Sequence, residues 1–152
     1  MIKIAVLAGS KGDAPLVDDC CKMISYFGLE PVVYIVSAHR QPDKLRRTME
    51  EINRNESFKV IIAIAGLAAH LPGVCASLTH LPVIGVPANI GALRGIDALL
   101  SIVQMPKGVP VATVAIGPPG AVNSALLAAR IIALFDDSVR SRLNDYISEL
   151  KG

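Results

Sequence analysis

The run Val60-Ile61-Ile62-Ala63-Ile64-Ala65-Gly66-Leu67-Ala68-Ala69-His70-Leu71-Pro72-Gly73 decides the reading of this chain. Its first half is continuously apolar and rich in β-branched residues. That pattern suits a strand buried on both faces, as in a parallel sheet. Its second half turns to small residues, where backbone can approach a ligand without intervening Cβ bulk. His70 follows at once, and Pro72 and Gly73 set how the chain turns away. An imidazole beside a small-residue floor, just past a central strand, sits where open α/β sheets place their chemistry. A lone histidine there can also serve only as a helix cap, so the rest of the chain has to decide.

Outward from that run, apolar segments alternate with helical ones from end to end. Strands are predicted at Lys3–Leu7, Pro31–Val36, Lys59–Ile64, Pro82–Pro87 and Val109–Ile116. The first helix follows Asp13, a good N-cap before Ala14-Pro15, and stops at Gly28. Further helices are predicted over Pro42–Asn55, Pro72–Thr79, Gly95–Val103, Ala121–Phe135 and Asp137–Lys151, with Gly117-Pro118-Pro119-Gly120 as a sharp break. This order implies parallel strands joined by right-handed crossovers, a three-layer α/β/α sandwich. No repeat or linker divides the 152 residues, so residues 1–152 read as one domain.

The composition is 52% hydrophobic and 18% charged, against roughly a quarter charged in ordinary soluble domains. No apolar run approaches the ~18–20 residues that span a bilayer, so no membrane role is expected. The surplus apolar surface points instead to contacts between copies of the chain. Net charge is +2 and aromatics are 4%, with no tryptophan. A nucleic-acid surface wants a basic stripe and stacking aromatics, and neither is present. Met1-Ile2-Lys3 leads directly into a strand-like run without the pattern of a secretion signal. Three cysteines, Cys20, Cys21 and Cys75, lack metal-ligand spacing and read as structural thiols. A reducing, cytoplasmic setting is expected.

Three polar loops follow the first three strands: Ser10 to Asp13, Ser37 to Arg40, and Gly66 to His70. A parallel sheet brings all three to one edge. Arg40 offers a planar fork suited to phosphate. Ser10 and Ser37 offer hydroxyls, the start of helix 1 offers backbone N–H groups, and Asp13 can accept from sugar hydroxyls. His39 and His70 can move protons near neutral pH. Together they suggest a phosphorylated, sugar-like ligand with proton transfer beside it. There is no Walker A motif, G-x-G-x-x-G or nucleophile elbow, and no cluster with metal-ligand spacing.

These blocks occur together and in order: Gly9-Ser10-x-x-Asp13, Ser37-Ala38-His39-Arg40-x-Pro42-Asp43, Ala68-Ala69-His70-Leu71-Pro72-Gly73, Leu81 to Pro87, Ser101-Ile102-Val103-Gln104-Met105-Pro106, and Gly120-Ala121-x-Asn123. The chain resembles the N5-carboxyaminoimidazole ribonucleotide mutases of purine biosynthesis, the catalytic subunit of phosphoribosylaminoimidazole carboxylase, and within them the bacterial mutase class. The resemblance implies a flavodoxin-like fold and an octamer, with helices at about 121–151 used in oligomer packing. It implies no metal or organic cofactor. The implied reaction moves a carboxylate from the exocyclic nitrogen of an aminoimidazole ribonucleotide to ring carbon C4. His70 matches the catalytic histidine. Ser10, Asp13, Ser37, His39 and Arg40 match substrate-binding positions, with Arg40 at the phosphate, and Ala65, Gly66 and Leu67 match the floor.

The floor also departs from the family. Where the family reads Ala-Gly-Ala-Gly-Gly-Ala-Ala-His, this chain has Ile64 and Leu67 in place of two glycines. Gly12 and Ala98 stand where the family has serines. If the lost glycines need positive φ, Ile64 is a costly occupant, and Leu67 would push a side chain toward the floor. Two readings stay open at this point: an enzyme with a rearranged floor, or a ribonucleotide-binding module in which Leu67 blocks the chemistry.

Overall fold

Strand β3, Phe58–Ala65, carries the apolar run, and all of it except Lys59 is buried. The computed structural model describes residues Met1–Gly152. β1 (Lys3–Ala8) pairs with one edge of β3 and β4 (Val83–Pro87) with the other, both parallel, with Val6 opposite Ile62 and Ile62 opposite Ile84. β2 (Glu30–Ile35) lies outside β1, and β5 (Ala112–Thr113) lies outside β4. The sheet order is β2-β1-β3-β4-β5. This is the flavodoxin-like doubly wound order.

Side-chain alternation along β3 feeds two cores. Val60, Ile62 and Ile64 pack with Ile4 and Val6 against α1 (Ala14–Tyr26), α5 (Pro118–Ile132) and α6 (Asp137–Lys151). Ile61, Ala63 and Ala65 pack with Ala5 and Leu7 against α2 (Pro42–Arg54), α3 (Leu71–Ser77) and α4 (Ile96–Val103). A strand covered on both faces needs apolar residues at every position, which is why its sequence does not alternate. Alanines at 121, 125, 128 and 129 let α5 lie close on the sheet, all fully buried.

Two elements differ from the sequence expectation. β5 is two residues long rather than Val109–Ile116. Pro110 has no N–H to give a ladder, and the Val109 N–H is taken by a turn to the Pro106 carbonyl at 3.2 Å. α5 begins at Pro118 rather than Ala121. The break is Gly117 alone, at φ 73°, and Pro118 and Pro119 fill the first helical positions, where no intrahelical N–H is required. No helix is long and apolar enough to cross a membrane.

The neighbouring Cys20 and Cys21 divide between faces of α1. Cys20 is buried against Ser124, while Cys21 is half-buried. Burial pushes the Cys20 and Cys75 thiols up to about 12. The thiolate is therefore scarce in both at mildly alkaline pH. A thiol reagent should label one cysteine per native chain, Cys21, and all three once urea unfolds it. Ile62→Ala, at the centre of β3, should lower the unfolding free energy by about 3 kcal/mol in urea titration.

Candidate active site

The loops after β1, β2, β3 and β4 meet over the carboxyl ends of β1 and β3, where the chain winds away in opposite directions and the strand order reverses. They enclose an open cleft of about 350 Å³, within the size range of small-molecule sites. Ser10, Ser37, His39, Arg40, Ala65, Gly66, Leu67 and His70 all line it. Ile90, from the loop between β4 and α4, closes the far side. Sequence reasoning missed Ile90, although the signal was available: the loop after the fourth parallel strand must open at the same sheet edge.

The two histidines are joined. His39 Nε2 and His70 Nδ1 lie 2.5 Å apart, with the ring planes at 84°. One nitrogen donates and the other accepts, with the direction set by the tautomers of the two rings. That leaves His39 Nδ1 and His70 Nε2 outside it. His70 stands at the N-cap position of α3, but its side chain makes no capping bond. Pro72 sits in the first turn of the helix, and the His70 carbonyl accepts from the Val74 N–H at 3.0 Å. The backbone of His70 thus serves α3 while the ring faces His39.

Arg40 and Ser37 form a second unit. The Arg40 backbone N–H donates to Ser37 Oγ at 3.2 Å, and Arg40 Nε donates to the same oxygen at 3.5 Å. The ion pairs of the molecule are Lys3–Glu30, Arg54–Glu50 and Arg140–Asp137. No carboxylate neutralises Arg40, so its outer N–H groups are available to an anion.

Asp13 stands apart from the cleft lining. It is 4% exposed, and its Oδ2 accepts from the Ser10 N–H at 3.0 Å and from Ser10 Oγ at 3.1 Å. It occupies the N-cap position of α1 without capping it, because its carboxylate reaches backward to the turn. Asp13 therefore shapes the loop that presents Ser10. No group of three His, Cys, Asp or Glu side chains is placed to hold a metal ion.

The four positions at which the resemblance implies a different residue, two of them in the floor, separate in space. Ile64 lies in extended strand and is fully buried in the core shared with α1 and α5. Ala98 is fully buried in the opposite core, and Gly12 is exposed on the turn before α1. Only Leu67 lines the cleft. The positive φ expected as a hazard at Ile64 falls instead on Leu67, at 57°. A left-handed conformation costs a branched L-residue about 1–2 kcal/mol, and an L-residue keeps it only where packing holds it there.

Comparison with known proteins gives one answer. The family model described as AIR carboxylase matches residues 3–152. The chain belongs to the AIR carboxylase family. A relative from Haemophilus influenzae named N5-carboxyaminoimidazole ribonucleotide mutase is 49% identical over 144 residues, covering 95% of this chain and 87% of the relative. A protein of the same name from Pseudomonas aeruginosa is 54% identical over 129 residues, covering 85% and 78%. Among solved structures, Treponema denticola PurE superposes with a TM-score of 0.91 at 26% identity, covering 99% of this chain and 92% of the other. The chain thus joins the family's fold to a cleft lined by Leu67.

The Asp13–Ser10 contact gives a direct test. Asp13→Ala leaves two Ser10 donors without their acceptor and should cost about 2 kcal/mol in urea unfolding. Asp13→Asn, which keeps an acceptor oxygen, should cost less.

Proposed function

We infer that this chain is an N5-carboxyaminoimidazole ribonucleotide mutase. It converts N5-carboxyaminoimidazole ribonucleotide to 4-carboxy-5-aminoimidazole ribonucleotide by decarboxylation and recarboxylation at C4. The observation that carries this reading is the joined His39–His70 pair in a cleft at the switch point of the sheet, in a chain about half identical to relatives bearing that name.

The reaction is an isomerisation in which one proton enters and one leaves. Protonation of the carbamate nitrogen lets the N–C bond break, with its electron pair going to nitrogen and carbon dioxide departing. Electron density at ring carbon C4 then forms a C–C bond to the same carbon dioxide. Loss of the C4 proton restores the aromatic ring. A single imidazole can donate in the first step and accept in the last. His70 is assigned that role, with His39 able to take up or return a proton through the 2.5 Å contact.

Arg40 is assigned to the phosphate, because its guanidinium carries no competing carboxylate. Ser10 and Ser37 supply hydroxyls, and Ala65 and Gly66 let the imidazole ring lie close to the backbone. Asp13 acts through Ser10. The binding-module alternative, in which Leu67 blocks the chemistry, predicts saturable binding of the ribonucleotide without turnover in the same open cleft of about 350 Å³.

Homo-oligomeric assembly, as an octamer in a cytoplasmic setting, belongs to the same proposal. Ile96, Leu100 and Val103 form an exposed apolar stripe on one face of α4, and Leu93 extends it. Burying such a stripe against another copy removes apolar surface from water. Sedimentation should give a single species several times the chain mass.

Turnover of N5-carboxyaminoimidazole ribonucleotide, followed by the absorbance of the C-carboxylated product, tests the assignment. His70→Asn should fold normally and lower kcat by about 10²–10⁴; wild-type-like turnover would remove His70 from the proton transfer. Arg40→Ala should raise KM by about ten- to a hundredfold with a smaller effect on kcat. An unchanged KM would place the phosphate elsewhere.

A further inference from the structure

The left-handed turn at Leu67 aims its side chain at Gly91. A Cβ added at Gly91 would collide with Leu67 Cδ2. The contact is returned from the other side. A Cβ added at Gly66 would stand 2.6 Å from both Cδ1 and Cγ1 of Ile90. Two dipeptides, Gly66-Leu67 and Ile90-Gly91, therefore interlock. Each offers one branched apolar side chain and one bare Cα, and each side chain rests on the other's bare Cα. Leu67 and Ile90 both line the cleft and stay 50% and 41% exposed.

We propose that this clasp is the wall that retains carbon dioxide between its release from nitrogen and its capture by C4, with Leu67 and Ile90 as positioning residues. The proposal rests on the mutase reading. Freed carbon dioxide carries no charge and no permanent dipole, so hydrogen-bonding groups hold it weakly. A close apolar wall keeps it near C4 by proximity and by denying it a path out. The floor supplies only small groups at Ala65, Gly66, Ala68 and Ala69. Leu67 and Ile90 add the bulk such a wall needs, and both belong to the cleft rather than the core.

The clasp also explains the backbone at Leu67. Leucine holds an unfavourable conformation there because its side chain is seated on Gly91. Gly91 in turn has a φ of 77° and no room for a Cβ while Leu67 is present. The two positions are coupled, and the loop between β4 and α4 is fastened to the floor by the coupling. The clasp forms and breaks no bond in the reaction.

The test is turnover of unlabelled N5-carboxyaminoimidazole ribonucleotide in ¹³C-bicarbonate buffer with carbonic anhydrase, at initial rates, reading ¹³C in the product carboxylate. Retained carbon dioxide gives unlabelled product, and escaped gas exchanges with the labelled pool. Leu67→Gly should raise label per product about tenfold over the parent, and Ile90→Ala should move it the same way. Gly91→Ala should also raise it, by less when Leu67→Gly is already present, as coupled sites require. Amide hydrogen exchange in residues 89–95 should speed up in Leu67→Gly. Label and exchange both unchanged in Leu67→Gly and Ile90→Ala, with the parent turning over, would overturn the clasp alone. A parent that makes no product would overturn the mutase reading and the clasp's role with it.

Discussion

β3 is hydrogen-bonded along both edges and packed on both faces. That double confinement is the constraint on which the rest of the structure depends. A one-residue slip would exchange the Ile62 face for the Ile61 face and drive isoleucines into the space of alanines. The strand cannot slip, so the position of its end is settled to within a side chain. Ala65, Gly66 and Leu67 emerge there, against the ends of β1 and β4. The cleft inherits its geometry from the most buried element of the fold, although most of its own lining is exposed or half-buried.

The polar groups around that end divide by what already occupies them. Asp13 is buried and its Oδ2 is taken by Ser10, so its charge is used in building a turn. Arg40 is exposed, with only Ser37 Oγ against its Nε and backbone N–H. A fixed carboxylate beneath and a free guanidinium at the mouth favour an anionic ligand whose charged end stays near solvent. The histidines lie between these extremes, each held by the other and each with one ring nitrogen left over. Proton transfer at such a pair needs only a small redistribution along a contact that already exists.

The departures at Ile64 and Leu67 show how a floor can change without being destroyed. Both stand where the resemblance implies glycine, yet they meet different surroundings. Ile64 points into a core that has room for it and joins Val60 and Ile62 in one packed row. Leu67 has no core to enter. It takes a strained backbone and finds its packing on Gly91, where the missing Cβ makes room. Two residues distant in sequence have to agree for that arrangement to stand.

Alternation of apolar runs with helical segments was enough to establish a parallel, three-layer sheet, because burial on both faces leaves an unmistakable apolar pattern. The blocks around Ser37 to Arg40 and Ala68 to Gly73 were enough to suggest the family, and loops following parallel strands must share an edge. Tertiary structure decided the remainder. The order β2-β1-β3-β4-β5 depends on which strand edges find each other, and no local pattern records that choice. The shortened β5 depends on the hydrogen bond that Val109 makes in a turn next to Pro110. Asp13 turned from the cleft to Ser10 because a buried carboxylate needs donors close at hand. Ile90 entered the site, and Leu67 rather than Ile64 took the left-handed backbone, through contacts between loops far apart in the chain. Sequence determines which groups are present at the sheet edge; only packing in three dimensions selects which of them face the cleft and which face one another.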